Sequence, residues 1–131
     1  MLPFDVVFSA GESPYRQVVY SATKAIVSGE LAAGEPFPSV RELSQALKIN
    51  PNTAQKAIAE LTRDGLLEVR PGIGTIVAPA RRASAAERKR LLSNDVERLL
   101  VEAKRLGLGK ADVADAVSTR WDALFDADTG G

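Results

Sequence analysis

The chain contains no cysteine and no histidine. The first absence excludes a disulfide framework and a thiolate metal site. The second removes the commonest general base, the commonest activator of a nucleophile and the commonest transition-metal ligand. No apolar run approaches the ~20 residues needed to span a bilayer. The N-terminus, MLPFDVVFSAGESP, lacks the charged-then-apolar order of a secretion signal. Excess charge is missing too, because 17 Lys and Arg balance 17 Asp and Glu. The expectation is a cytoplasmic protein with no membrane partner, no cofactor, no metal and no catalytic centre. An enzyme would need paired carboxylates or an activated lysine. Asp112, Asp115 and Asp122 are the nearest approach to such a set, and they lie on a short C-terminal helix with no evident cleft. They give weak support, at most, for a divalent ion.

What is present suffices for a fold. At 131 residues and 45% hydrophobic, the chain suits one ordinary domain, or a small domain with an appendage. The neutral total conceals an uneven layout: −2 over residues 1–13, +1 over 14–78, +4 over 79–106 and −3 over 107–131. Local field, not total charge, steers a polyanion.

Ser13-Pro14 reads as an N-cap followed by proline at the first helical position. Val18, Val19, Ala22, Ala25 and Ile26 then form a stripe of helical period, predicting a helix to about Val27 closed by Gly29. Gly34, Pro36 and Pro38 mark a loop. Ser39-Val40-Arg41-Glu42 is a capping box, in which each end satisfies an orphan backbone donor of the other. The helix it opens turns Val40, Leu43 and Leu47 inward. Asn50-Pro51 opens the next helix, 51–64, whose buried stripe is Ala54, Ala57, Ile58 and Leu61. Gly65 stands where a left-handed terminating residue belongs. Two β-prone runs, 67–70 and 75–78, flank Pro71-Gly72-Ile73-Gly74 and predict a hairpin.

A basic stretch follows, with Arg81, Arg82, Arg88, Lys89 and Arg90. Its residues could meet phosphates flanking a binding site or acids of a partner's tail. A long helix is expected over about 85–106. Leu92, Val96, Leu99, Ala103 and Leu106 alternate in spacing between four and three, which is a heptad seam. A last helix, about 110–124, carries Val113, Val117, Trp121 and Leu124. The predicted fold class is α+β, mainly α. It comprises an N-terminal arm (1–11), a winged helix-turn-helix (12–79), a two-helix dimerisation region (80–125) and a flexible tail (126–131).

Such a plan names a partner, double-stranded DNA. The second helix of a helix-turn-helix enters the major groove with its N-terminal residues toward the bases. The face of the 51–64 helix opposite its buried stripe carries Asn52, Gln55, Lys56, Ala59 and Arg63. Asn and Gln can bond adenine bidentately, and Lys can reach guanine acceptors or a phosphate. Arg41, in the first turn of the preceding helix, is placed for a phosphate, or for a surface ion pair with Glu42 or Glu12. Arg70 and the Gly72–Gly74 tip form a wing small enough for a minor groove ~6 Å wide.

PS-x-REL, NPNT and the GIGTIV hairpin, in this order and spacing, resemble the GntR family of bacterial transcription regulators over residues 12–79. The resemblance implies an operator-binding dimer. It places the phosphate-clamping arginine at Arg41 beside Ser39, the recognition-helix contacts at Asn52, Thr53, Gln55 and Lys56, and the wing-tip glycine at Gly72 or Gly74. Phe37, Ser44 and Ala54 stand where the family has leucine, alanine and valine, and Phe37 and Ala54 change volume in opposite directions. The part after Ala78 resembles the two-helix extension of YtrA-type members. That implies repression, often of an ABC-transporter operon; no effector domain is visible, so an unknown small-molecule effector is expected, if at all, at the dimer junction or between the helical arms and the winged domain.

Two recognition helices related by a two-fold axis read an inverted repeat. The expected homodimer interface is Leu92, Val96, Leu99, Ala103, Leu106, Val117 and Trp121. The rival to an operator-binding regulator is a winged-helix interaction or architectural module. Against it stands the exposed face of the third helix, which is Asn, Gln, Lys and Arg rather than apolar or acidic.

Overall fold

A computed structural model describes residues 2–126, so all of the expected 126–131 tail except Asp126 lies outside the described residues. The chain divides into two compact units, Met1–Arg81 and Arg82–Gly131.

The first unit contains α1 (Pro14–Val27), α2 (Val40–Leu47), α3 (Pro51–Arg63) and a hairpin of β1 (Leu67–Arg70) and β2 (Gly74–Val77). The strands are antiparallel, with Leu67 opposite Val77 and Arg70 opposite Gly74. β2 therefore starts one residue earlier than the sequence suggests. Each helix begins where its cap predicts, by different means. Ser13 caps α1 with its backbone, and its hydroxyl makes no cap bond. Ser39 and Glu42 close the full capping box of α2. The Asn50 side chain accepts the Asn52 amide at 2.7 Å.

The turn between α2 and α3 rests on Lys48, at φ 55. It is the one non-glycine residue with positive φ among those described, a conformation that costs an L-residue roughly 1–2 kcal/mol. The Ile49 amide donates to the Ser44 carbonyl at 3.1 Å and closes the helix end.

Residues 34–37, expected as loop, run beside β2. Gly34 donates to the Val77 carbonyl at 2.8 Å, Val77 to Glu35 at 2.8 Å and Phe37 to Thr75 at 2.9 Å. Pro36 lacks a donor, but the residues on either side supply the pairing, so the proline sits at an edge where its missing N–H goes unused. This third line of bonds ties the wing to the helical body.

The core gathers Phe4, Ala22, Ala25, Leu31, Phe37, Leu43, Ala54, Leu61, Leu67 and Val77. Full burial of a leucine of this kind is worth ~1.5–3 kcal/mol. The N-terminal arm is part of this core, since Phe4 stacks on Phe37 with centroids 5.6 Å apart and planes at 21°. Phe37, where the resemblance leads one to expect leucine, thus has an aromatic partner. Ala54, the smaller departure, lies in the same cluster.

The second unit holds α4 (Ala85–Lys89), a π-helical stretch (Arg90–Asp95), α5 (Val96–Arg105), α6 (Lys110–Trp121) and a second π-helical stretch (Asp122–Asp126). A capping box not singled out in the sequence, although Ser84-Ala85-Ala86-Glu87 carries the S-x-x-E pattern, opens α4: the Glu87 amide donates to the Ser84 hydroxyl at 3.1 Å, and the Ser84 amide to the Glu87 carboxylate at 3.0 Å. The uniform α-helix expected over 85–106 is corrected here. Bonds from i to i+5 in Arg90–Asp95 put more residues in each turn, so the regular four-three count does not run unbroken through Leu92. Gly107, at φ 82, ends α5, and Leu108 donates to the Ala103 carbonyl at 2.9 Å.

Candidate nucleic-acid interface

α3 separates its two faces cleanly. Ala54, Ala57 and Leu61 are fully buried, and Ile58 packs against the core. Asn52, Gln55, Lys56, Ala59 and Arg63 are exposed, and Thr53 is half-buried at the flank. The side-chain amides of Asn52 and Gln55 have no partner among the described residues. They form a ridge of unused donors and acceptors.

Lys56 is engaged within the protein. Its Nζ lies 4.3 Å from the centroid of the Tyr15 ring. The Tyr15 hydroxyl in turn donates to the Glu60 carboxylate. Glu60 also lies 3.8 Å from the Arg63 guanidinium. The sequence pattern singled out Lys56 but missed Tyr15, because the contact joins two helices far apart in the chain.

Arg41 is exposed in the first turn of α2. It forms no ion pair with Glu42 or Glu12 among the described residues. The physical reason lies in the cap, where the Glu42 carboxylate accepts the Ser39 amide at 3.1 Å. The Ser39 amide, and then its hydroxyl, hold the Glu42 carboxyl below its ordinary value. Ser39 accepts the Glu42 amide at 3.1 Å, so its backbone and its side chain both serve the cap.

The wing is less open than the sequence suggests. Arg70 Nε lies 3.1 Å from the Glu68 carboxylate. An exposed pair of this kind holds by only ~0–1 kcal/mol, so a phosphate can displace it. Gly72, at φ 77, and Gly74, at φ 115, supply the positive φ that the turn requires. Between them Ile73 is 73% exposed, a tip residue the sequence pattern gave no role.

Of the expected interface residues in the second unit, Leu92, Val96, Leu99, Leu106, Val117 and Trp121 are exposed, while Ala103 is buried. Ala103 is the one buried residue among those described in this unit. Leu91, Leu100 and Val101 are exposed as well. An apolar cleft of about 470 Å³ runs between α5 and α6, floored by Leu99, Ala103, Leu106, Val117 and Trp121. Trp121 meets Phe125 edge-on, with centroids 4.9 Å apart. Asp112 accepts the Gly109 amide at 2.8 Å and so serves the start of α6. With Asp115 and Asp122 it forms no metal-holding group among the described residues. No helix among the described residues is long and apolar enough to cross a membrane.

Residues 14–77 match the family described as bacterial regulatory proteins, gntR family. The chain is similar to YhcF of Bacillus subtilis (strain 168), an uncharacterized HTH-type transcriptional regulator. The two are 31% identical over 115 residues, which is 88% of this chain and 95% of YhcF. It is also similar to YtrA, an HTH-type transcriptional repressor of the same strain, at 30% identity over 95 residues, 72% of this chain and 73% of YtrA. Among solved structures, a GntR family transcriptional regulator from Listeria monocytogenes superposes with a TM-score of 0.65 at 28% identity, covering 86% of this chain and 98% of the other.

Proposed function

This chain belongs to the GntR family of bacterial regulatory proteins, and from that premise we propose that it is a homodimeric repressor reading an inverted-repeat operator. The family itself makes it a transcriptional regulator with a DNA-binding winged helix-turn-helix, and not an enzyme. Sequence-specific reading by α3 is supported above all by one observation. The Asn52–Gln55 ridge is exposed and unengaged, on a helix whose opposite face is locked into the core.

In the major groove, ~12 Å wide, those two amides can each bond an adenine bidentately, worth ~1–3 kcal/mol of discrimination apiece. Arg41, at the N-terminal turn of α2 that Ser39 caps, reaches the backbone and sets the register without reading sequence. Thr53 flanks the ridge. The wing brings Arg70, Gly72 and Gly74 to the adjacent backbone or minor groove.

One recognition helix covers too few base pairs to single out an operator, and a two-fold pair doubles the contact. The exposed apolar residues of α5 and α6 support a second copy of this chain as the occupant of that face. A specific dimer needs ~800 Å² buried per partner. Repression is taken from the function named for YtrA, and control of a transporter operon from the YtrA-type resemblance.

The test is to sequence the genomic fragments that the purified protein retains, beside a transcript comparison with and without the protein. The expected fragments share an inverted repeat with half-sites about 10 base pairs apart, centre to centre, upstream of genes that rise when the protein is removed. Fragments sharing no sequence would overturn operator reading. Genes that fall would overturn repression.

A further inference from the structure

We propose that Tyr15 is a positioning residue for DNA binding: it holds Lys56 to one flank of α3, so that the ammonium meets a phosphate on the groove wall and not a base edge. This rests on α3 being the groove-binding helix.

Three observations carry it. First, Lys56 Nζ sits 4.3 Å from the Tyr15 ring centroid, well inside the ~6 Å over which a ring face attracts a cation. Second, the ring is itself fixed, because its hydroxyl donates to Glu60. Glu60 lies one turn beyond Lys56 on the same side of α3, where i and i+4 side chains are neighbours. A phenol that donates to a carboxylate is polarised toward its anion, which makes its face a better seat for an ammonium. Third, Lys56 has no carboxylate partner among the described residues. A carboxylate would neutralise the lysine. A ring orients it and leaves the full positive charge for another acceptor.

The direction matters. Asn52, Gln55 and Lys56 all stand on the exposed side of α3, but the Lys56 ammonium is turned toward α1, where the Tyr15 ring meets it and the Tyr15 hydroxyl meets Glu60. When a helix lies in the major groove, its outermost ridge faces base edges and its flanks face the sugar-phosphate walls. A lysine drawn toward α1 is drawn toward a wall. Its compact charge suits a phosphate, whereas the planar amides of the ridge suit bases.

The test is a double-mutant cycle with Tyr15→Phe, Tyr15→Leu, Lys56→Ala and Tyr15→Leu/Lys56→Ala, each checked by thermal melting. Binding is measured on a retained genomic fragment and on a random-sequence duplex across a salt series. Lys56→Ala is expected to weaken binding about tenfold on both duplexes and to flatten the salt slope by about one unit, with base preference unchanged. Tyr15→Leu should weaken binding several-fold when Lys56 is present and add nothing when it is absent. Tyr15→Phe keeps the ring and should remain close to wild type.

Equal losses from Tyr15→Leu with and without Lys56 would overturn the proposal, as would a changed base preference in Lys56→Ala. A phosphate contact does not depend on sequence, so the random duplex decides the role of Tyr15 even if the wild type shows no preferred site. That result would overturn operator reading alone. A wild type that binds neither duplex would overturn both.

Discussion

Met1–Arg81 fully buries Val18, Leu31, Leu43, Leu61, Leu67 and Val77, whereas the described part of Arg82–Gly131 buries Ala103, half-buries Val113 and Leu124 and leaves its other leucines and valines and its tryptophan at the surface. Both units are built from capped helices with apolar stripes, so the difference is not one of local sequence quality. In the first, three helices and a hairpin turn their stripes toward one another. In the second, two helices share a shallow cleft and face outward with the rest. Under the proposed dimer the two units draw stability from different sources: changes in the first act on folding at any concentration, and changes in the second act through association and vary with concentration.

The largest effect that tests this contrast is Leu61→Ala. Truncation of a fully buried leucine should cost ~2–5 kcal/mol, seen in thermal melts whose shift does not depend on protein concentration. A loss under ~1 kcal/mol would mean that α3 is not the keystone of this core. Next comes Leu99→Glu. Leu99 is 50% exposed in the single chain, so a monomer should tolerate the change. At the centre of an apolar dimer face it should cost ~2–4 kcal/mol of association, read as monomers by sedimentation at micromolar concentration. A dimer that persists would move the interface elsewhere. Asn52→Ala and Gln55→Ala should each lose ~1–3 kcal/mol on the operator and relax base preference, while Arg41→Ala weakens all sequences and lowers the salt slope by about one unit. None of the three should shift the melting temperature, since none lies in the core.

The smallest effect belongs to the cap of α2. Ser39→Ala should cost ~1 kcal/mol of stability in the first unit at neutral pH. Glu42 adds a pH dependence of definite sign. Its carboxyl is held below the ordinary value in the folded protein by the Ser39 amide and hydroxyl. Its contribution is therefore complete above the unfolded glutamate range and is lost as pH falls through the depressed folded value. Glu42→Gln should flatten the acid limb of the stability curve. An unchanged acid limb would mean that the cap does not persist in solution.

The elements of the first unit were legible because capping residues and glycines write helix and hairpin ends into the local sequence. The α3 ridge was legible for a related reason: buried and exposed positions at a period of 3.6 can be assigned without knowing what packs where. What escaped detection depends on distant pairs. Nothing near residue 4 announces that Phe4 stacks on Phe37, and nothing near Lys56 points to Tyr15. The pairing of residues 34–37 with β2 was hidden by two prolines that look like loop punctuation. Lys48 adopts a conformation usually left to glycine, because the surrounding helices fix the turn. The π-helical stretch at Arg90–Asp95 carries no local mark. The Arg70–Glu68 pair was within reach, since side chains two apart share a strand face.

The most direct test of the central claim is hydroxyl-radical footprinting of the protein on a retained genomic fragment. The account predicts two protected patches related by a two-fold axis, centred about 10 base pairs apart, both lost in the Asn52→Ala/Gln55→Ala double variant. A single patch, featureless protection, or a footprint that survives the double variant would contradict it.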